Sequence, residues 1–221
     1  MKIIELNETV TASNDRDAEA LRLRLQEAGT LLINIMSSPG SGKTTLISRL
    51  IRDLADLKIG VLEADIESDV DARRVEALGA SSIQVHTSGM CHMDAGMTAA
   101  AWEALAVKDA DLLFLENVGN LICPAEYDTG AGLNVMLLSV PEGDDKPLKY
   151  PLMFQKSDAL VITKTDALPY FDFDLQKCEE RVRKLNPKIS IFPVSAKTGE
   201  GMPELERWLL ERVTAWRSPS H

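Results

Sequence analysis

The chain has 221 residues, of which 45% are hydrophobic, and this is enough to bury the core of one ordinary domain. Acidic residues outnumber basic ones by 34 to 24, and the formal net charge of -10 disfavours nonspecific binding to nucleic acid or to an anionic membrane surface. No apolar run approaches the roughly 18 residues that span a bilayer, so we expect a soluble, cytoplasmic protein.

The first predicted element is a helix over residues 12–28, which carries apolar residues at helical spacing. Ser13 or Asn14 is available as its N-cap. We expect residues 1–28 to form a helical segment that packs on a larger domain over residues 29–221.

The most informative stretch is residues 37–45, which follow the apolar run 31–36. A Gly-rich turn between a buried strand and a helix is typical of a phosphate-binding loop, or P-loop, because its backbone N–H groups attract phosphate. Lys43 would reach the β and γ phosphates, and the Thr44 hydroxyl would bind Mg²⁺. The usual pattern begins with Gly where this sequence has Ser37, a departure that we expect to matter little. The predicted phosphate-binding residues are Gly40, Ser41, Gly42, Lys43, Thr44 and Thr45.

Strands and helices alternate along the rest of the chain. Further buried strands are predicted over residues 61–65, 83–86, 111–116, 134–140, 159–163 and 189–193. Further helices are predicted directly after the P-loop and over residues 69–78, 99–107, 173–185 and 203–216. This alternation predicts an α/β fold with a mostly parallel sheet, helices on both faces and a ligand site at the carboxyl ends of the strands.

Carboxylates end two of the predicted strands that flank the phosphate position. Asp65 and Glu116 are therefore candidates to hold Mg²⁺ or its waters, with a solvated strand end as the alternative for each. Gly119 follows in the next loop, where its backbone N–H would contact the γ-phosphate. We assign the catalytic role to Lys43, Thr44, Asp65 and Glu116. Because no activating Gln or Arg is obvious in the sequence, we expect slow hydrolysis.

Two segments predict which nucleotide base is bound. Residues 163–166 resemble the Asn-Lys-x-Asp element of GTPases, with Thr163 in place of Asn. The Asp166 carboxylate would accept hydrogen bonds from guanine N1 and N2, a donor pair that adenine lacks. After the next strand, the N–H of Ala196 would donate to guanine O6. The predicted base-binding residues are Lys164, Asp166, Ser195, Ala196 and Lys197, and together they favour GTP.

Cys91, His92 and Cys123 belong to loops on the predicted nucleotide side of the sheet. Two thiolates and one imidazole suit Ni²⁺ or Zn²⁺, although such spacing alone is more often coincidence. Three ligands leave a tetrahedral metal incomplete, so a water or a second chain would supply the rest. Cys178 lies on an apolar helical stripe, and we expect it to be buried as a small hydrophobic residue.

The sequence resembles the HypB family, GTPases that assist nickel insertion into [NiFe] hydrogenase. The segments that carry the resemblance are residues 36–45, 89–95, 116–125, 142–151 and 195–202. The resemblance implies a P-loop NTPase fold of the SIMIBI type. It also implies that Cys91, His92 and Cys123 form a metal site that is shared across a homodimer promoted by GTP and metal.

The same resemblance implies a basic residue in segment 142–151 that reaches the nucleotide of the partner subunit. Lys149 is the candidate, with a solvated loop lysine as the alternative. Implied partners are hydrogenase maturation proteins and the hydrogenase large subunit. The sequence has neither the Cys-rich motif nor the His-rich tract that some members carry before this domain, so we expect nickel transfer rather than storage.

The sequence of the loop after Glu116 predicts that the nucleotide site and the metal site are coupled. Residues 117–120 would respond to the γ-phosphate, and Cys123 lies only a few residues further along. Bound GTP would therefore set the position of one thiolate and the dimer surface.

Three alternative functions stay open. The first is a urease-accessory nickel GTPase, although the Cys-Pro-His element of that family is not found here. The others are a P-loop kinase acting on a small molecule and a nucleotide-dependent scaffold with a structural Cys/His cluster.

Overall fold

The computed structural model describes residues 6–64, 78–87 and 89–218, with side chains described from residue 12 onward. Seven strands form one sheet in this part of the chain: β1 (Leu31–Ser37), β2 (Ile59–Ala64), β3 (Ser81–Val85), β4 (Leu112–Glu116), β5 (Leu133–Ser139), β6 (Ala159–Thr163) and β7 (Ser190–Pro193). Their order is β3-β2-β4-β1-β5-β6-β7, and every neighbouring pair is parallel. The predicted parallel α/β fold is confirmed.

The helices in chain order are α1 (Leu6–Glu27), α2 (Lys43–Asp53), α3 (Ala95–Ala104), α4 (Cys123–Glu126), α5 (Lys146–Lys149), α6 (Pro151–Gln155), α7 (Leu175–Leu185) and α8 (Met202–Arg217). Short 3₁₀ helices span Val140–Glu142 and Thr165–Tyr170. Among the residues that the structure describes, no helix is both long and apolar enough to cross a membrane.

The helices cover both faces of the sheet, as predicted. All seven residues of β1 are buried, and alternate side chains point to opposite faces. Leu31, Ile33 and Ile35 pack in one core with α2 and α8. Leu32 packs in a second core with α1 and α3, and Met36 in a third with α6 and α7. A strand buried on both faces reads as a continuous apolar run, which is why the sequence revealed β1 so clearly.

Register brings the polar ends of the strands to one edge of the sheet. Ile35 of β1 lies opposite Glu116 of β4, and Glu63 of β2 lies opposite Glu116 on the other side. Ser139 at the end of β5 lies opposite Thr163 at the end of β6. The P-loop begins at this edge, which is where the ligand site was predicted.

Helices α1 and α3 begin several residues earlier than predicted. α1 begins at Leu6 rather than residue 12, so Asn14 lies inside the helix and neither it nor Ser13 is the N-cap. The Asn14 side chain instead makes long-range hydrogen bonds, which a sequence pattern does not reveal. α3 begins at Ala95, four residues before residue 99, because Asp94 caps it by accepting from Met97 N.

Two sequence predictions fall outside the described residues. They are Asp65, which would have ended β2, and the helix over residues 69–78, of which only its last residue is described. The division of the chain at residue 28 stays a prediction.

Candidate nucleotide and metal sites

The P-loop connects β1 to α2 in the backbone conformation that its glycines allow. Gly40 and Gly42 have φ angles of +74° and +99°, which residues with a Cβ rarely adopt. Helix α2 follows at once, beginning at Lys43. N–H groups of such a turn and of the first helical turn form a site for an anion such as phosphate.

Ser37, which stands where the usual pattern has Gly, takes part in the P-loop through its side chain. Its side chain is fully buried, and its Oγ accepts hydrogen bonds from Ser41 Oγ at 2.5 Å and from Lys43 Nζ at 2.9 Å. Ser37 Oγ also donates to Ser38 O at 2.8 Å. The hydroxyl therefore contacts Lys43, the lysine that is predicted to bind phosphate.

A cavity of about 510 Å³ lies beside the P-loop at the edge of the sheet. Its P-loop side is formed by the predicted residues Gly40, Gly42, Lys43, Thr44 and Thr45. Its opposite side includes the predicted residues Glu116, Gly119 and Lys164. Eight of the predicted nucleotide-site residues thus line one cavity, and Ser41 is buried directly beneath it.

Hard oxygen donors meet on one wall of this cavity. Thr44 Oγ1 donates to Glu116 Oε1 at 2.8 Å, and Glu63 lies opposite Glu116 in the strand register. Glu63 also lines the cavity and is 2% exposed. A hydroxyl and carboxylates are the ligands that Mg²⁺ prefers. Sequence reasoning missed Glu63, although an acid inside an otherwise apolar strand was the signal that marked it.

Gly119 brings the loop after β4 against the P-loop. A Cβ on this residue would lie 2.9 Å from both Pro39 N and Pro39 Cγ, closer than real Cβ contacts. Only glycine allows the two loops to approach this closely. The backbone of the loop that leads to Cys123 is therefore in contact with the phosphate-binding loop.

The first base-binding segment is tied to the P-loop. Thr163 Oγ1 donates to Ser41 O at 2.7 Å, and Lys164 Nζ donates to Gly40 O at 2.7 Å. Thr163, which stands where the GTPase pattern has Asn, thus stabilises the P-loop through a hydrogen bond.

The structure also brings the two base-binding segments together. Ser195 Oγ donates to Asp166 Oδ1 at 2.7 Å and accepts from Thr198 N at 3.2 Å. Ala196 is half-buried, with its carbonyl accepting from Arg49 Nη1 at 3.3 Å, and Lys197 is exposed. The Asp166 carboxylate is consequently oriented by the second segment, although 29 residues separate it from Ser195.

Cys91, His92 and Cys123 come together as the sequence predicted. Their candidate ligand atoms all lie within 4.8 Å of one another. The two Sγ atoms are 2.6 Å apart, and Cys91 Sγ lies 3.8 Å from His92 Nδ1. Two thiolate sulfurs and an imidazole nitrogen form a ligand set for one Ni²⁺ or Zn²⁺ ion, and the two sulfurs would have to move apart to bind it together.

The surroundings change the pKa values of the imidazole and of one thiol in this cluster. His92 is 9% exposed and stacks on Tyr127 with ring centroids 3.8 Å apart. Burial lowers the pKa of His92, so its imidazole is neutral at pH 7 and keeps a lone pair for a metal. The hydrogen bond with Cys91 raises the pKa of the Cys123 thiol, so metal binding must release a proton there.

Two other predicted residues lie away from both sites. Lys149 is on α5, mostly exposed, and pairs with Asp145 at 2.5 Å, which raises the pKa of the lysine. Cys178 on α7 is fully buried, as predicted, and burial raises the pKa of its thiol to about 12.

A P-loop after the central strand of a parallel sheet, with a cavity over it, defines a P-loop nucleotide-binding protein. Residues 31–193 match the family model "CobW/HypB/UreG, nucleotide-binding domain". Within that class, the chain belongs to the HypB family.

Several curated relatives carry the HypB name. "Hydrogenase maturation factor HypB" of Escherichia coli (strain K12) is 44% identical over 94% of this chain and 72% of its own length. "Hydrogenase/urease maturation factor HypB" of Helicobacter pylori (strain J99) is 41% identical over 96% of this chain and 88% of its own length.

Solved structures of the family have the same fold. The chain is similar to HypB from Helicobacter pylori in complex with nickel, with a TM-score of 0.88 and 40% identity over 95% of this chain and 99% of that one. HypB from Archaeoglobus fulgidus gives a TM-score of 0.86 and 38% identity, covering 91% and 99% of the two chains. The signal recognition particle receptor FtsY from Elizabethkingia anophelis in complex with GDP, at 14% identity and a TM-score of 0.53 over 74% of this chain and 56% of that one, shares the SIMIBI fold alone.

Proposed function

We propose that this protein is a GTP-hydrolysing nickel metallochaperone whose nucleotide state controls its dimerisation and its metal binding at Cys91, His92 and Cys123. One observation carries the proposal: the loop after β4 starts at Glu116 in the nucleotide cavity and ends at a thiol of the metal cluster. A γ-phosphate bound near Gly119 would therefore act on Cys123 only four residues away.

Residues of the cavity wall would hold Mg²⁺. The Thr44 hydroxyl and the Glu116 carboxylate fit this role, Asp65 is the predicted third ligand, and the position of Glu63 adds a further carboxylate. When bound, Mg²⁺ would supply positive charge against the negative charge that develops on the phosphates during hydrolysis. Lys43 would leave Ser37 and bind the β and γ phosphates. Asp166, held by Ser195, would select guanine.

Hydrolysis by the isolated protein should be slow. The sequence suggests no Gln or Arg that would activate the attacking water or stabilise the transition state, and such groups accelerate GTP hydrolysis by about 10³–10⁵. We expect fewer than about 1 turnover per second. A faster rate in the purified protein would contradict this part of the proposal.

Nickel would be the cargo rather than a resident cofactor. The nickel complex of Helicobacter pylori HypB supports this choice over zinc, which the same ligands also suit. Because one chain offers three ligands in this cluster, the partner subunit of a homodimer would complete the site. Lys149 of each subunit would reach the nucleotide of the other.

The acceptor is proposed from the relatives. Relatives are named hydrogenase maturation factors. The proposed partners are hydrogenase maturation proteins and the hydrogenase large subunit, and the proposed location is the cytoplasm. Relatives from Helicobacter pylori and Helicobacter hepaticus are named hydrogenase/urease maturation factors, which favours urease as a second acceptor.

One sample measured for both size and metal content tests the proposal. Purified protein would be incubated with nickel and either a non-hydrolysable GTP analogue or GDP, then passed over a sizing column with light scattering and metal analysis. We expect the GTP-analogue sample to elute at twice the mass of the chain, with a nickel content that differs from that of the GDP sample. Equal mass and equal nickel content in both samples would refute the proposed control.

Cysteine variants assign the metal to the cluster. The double variant Cys91→Ala, Cys123→Ala should bind GTP normally and lose nickel affinity by more than about 100-fold, because even outer-sphere partners of metal ligands are worth 10–100-fold. Cys178→Ala is the matched control and should bind nickel like the wild type, since Cys178 is fully buried on α7 and is not one of the three candidate ligands. Unchanged nickel binding in the double variant would support the scaffold alternative.

A further inference from the structure

One buried side chain joins the nucleotide cavity to the metal cluster. Asn117 follows Glu116, lines the cavity and is 1% exposed. Its Oδ1 accepts hydrogen bonds from Val118 N at 2.9 Å and from Met93 N at 3.1 Å. Val118 belongs to the loop beside the P-loop, whereas Met93 directly follows His92. Asn117 therefore holds two loops that are distant in sequence.

The other end of this side chain is anchored in the sheet. Asn117 Nδ2 donates to Asn34 Oδ1 at 3.0 Å, and Asn34 Nδ2 donates to Asn134 Oδ1 at 2.9 Å. Asn34 is also 1% exposed and lies in β1, three residues before the P-loop serine Ser37. Leaving any of these buried polar groups unpaired would cost free energy, so the three amides keep one arrangement.

Both halves of the metal cluster consequently depend on the same loop. Cys123 is connected to it through the backbone, and Asn120 Nδ2 lies 3.6 Å from Cys123 Sγ. The segment of Cys91 and His92 is connected to it through the bond from Met93 N to Asn117 Oδ1. A shift of residues 118–120 would move Cys123. The distance from Cys123 to His92 would therefore change unless the hydrogen bond of Asn117 moved His92 by the same amount.

We propose that Asn117 is the positioning residue that couples the bound nucleotide to nickel affinity, because its side chain moves the Cys91–His92 segment together with the loop that contacts the phosphates. This inference rests on the proposed function, since it names the residue through which that control acts. In thermodynamic terms, Asn117 carries the coupling free energy between the two sites rather than the affinity of either site.

The chain offers a matched control in Asn14 on α1. Asn14 Oδ1 accepts from Ala95 N at 3.0 Å, and its Nδ2 donates to Asp128 O at 2.9 Å. It is a buried asparagine that does not line the nucleotide cavity, and it connects the segments that follow Cys91–His92 and Cys123. Removing it should weaken nickel binding equally in every nucleotide state.

The experiment measures nickel dissociation constants with a non-hydrolysable GTP analogue and with GDP, for the wild type, Asn117→Ala and Asn14→Ala. We expect the two constants of the wild type to differ by at least about 5-fold, the lower end of typical couplings. In Asn117→Ala, measured at saturating nucleotide, the ratio should fall below about 2-fold. In Asn14→Ala any rise should be the same in both constants, so the ratio should stay unchanged.

A second readout does not depend on any variant. In the wild type, hydrogen exchange at the Met93 amide should differ between the two nucleotides, and this readout does not require the alanine variant to fold.

The outcomes separate the inference from the proposed function. A wild type with equal constants in both states would refute the nucleotide control itself. A wild type that shows the control, together with an Asn117→Ala variant that keeps it or a Met93 amide that does not respond, would overturn the role of Asn117 alone.

Discussion

At the scale of single residues, the P-loop lysine has a partner that the sequence pattern does not suggest. A hydroxyl at position 37 accepts from Ser41 and Lys43, where the usual glycine would offer nothing. Ser37 therefore stabilises the nucleotide-free loop, and Lys43 must exchange this partner for phosphate oxygens when a nucleotide binds.

Replacing Ser37 should affect the empty protein more than the loaded one. We expect Ser37→Ala to lower the free energy of unfolding of the nucleotide-free protein by about 1–3 kcal/mol, because a buried serine hydroxyl and the lysine each lose an acceptor. With saturating GTP analogue, the loss should be smaller, since phosphate then satisfies Lys43. Urea unfolding with and without nucleotide measures both values, and equal losses would contradict this role.

The three cysteines should differ in their reactivity toward iodoacetamide because they differ in burial. The pKa of Cys178 is raised to about 12 by burial, so its thiolate fraction at pH 8 is very small, whereas Cys91 and Cys123 are partly accessible. Iodoacetamide at pH 8 should therefore modify the native protein at Cys91 and Cys123 and spare Cys178. Mass spectrometry locates the labels, and denatured protein, where all three should react, is the control. Rapid native labelling of Cys178 would be inconsistent with its burial.

At the scale of elements, the loop from Glu116 to Cys123 is the part of the fold that unites the two sites. It leaves β4 beside the P-loop strand, contacts Pro39 at Gly119 and enters α4 at Cys123. Functional residues often lie on loops that a rigid scaffold positions. A small change in the backbone path of this loop should therefore alter both the nucleotide cavity and the Cys/His cluster.

A methyl group at Gly119 should disturb this loop. Gly119→Ala would place Cβ 2.9 Å from the Pro39 backbone, and we expect nucleotide affinity to fall by about 10-fold as the loop moves away from the P-loop. Gly96→Ala is the control, because its Cβ would meet Asp94 Oδ1 at an ordinary 3.5 Å on helix α3. Fluorescent-nucleotide titration of both variants measures the effect. Wild-type affinity in Gly119→Ala would show that the close approach is unimportant.

Elements were predictable from the sequence where their signals are local. Strands such as β1 and β4 are buried on both faces and read as apolar runs, and the P-loop carries its own motif. The internal position of Asn14 and the Asn117–Asn34 bond were not predictable, because their partners lie 81–114 residues away. The Cys/His cluster was predictable only in part. The sequence shows residue types that bind metals, but only the fold shows that Cys123 contacts Cys91.

At the scale of the whole molecule, each nucleotide site is proposed to need the other subunit. Lys149 is mostly exposed and held by Asp145 in the single chain. An exposed pair of this kind contributes little to stability, so Lys149 can leave Asp145 for a phosphate of the partner subunit at small cost.

The concentration dependence of hydrolysis tests this use of Lys149. The specific GTPase rate of the wild type should rise with protein concentration as dimers form, whereas Lys149→Ala should stay low at every concentration. Lys146→Ala, which removes a neighbouring lysine on the same helix, is the control and should behave like the wild type. A Lys149→Ala variant with the concentration dependence of the wild type would exclude the contribution across subunits.

Nickel binding at Cys91, His92 and Cys123 is proposed to depend on the bound nucleotide. Nickel titration of the wild-type protein with a non-hydrolysable GTP analogue, with GDP and without nucleotide measures this dependence. We predict dissociation constants that differ by at least about 5-fold between the GTP-analogue and GDP states. Identical nickel affinities in all three states would show that the nucleotide does not control nickel binding.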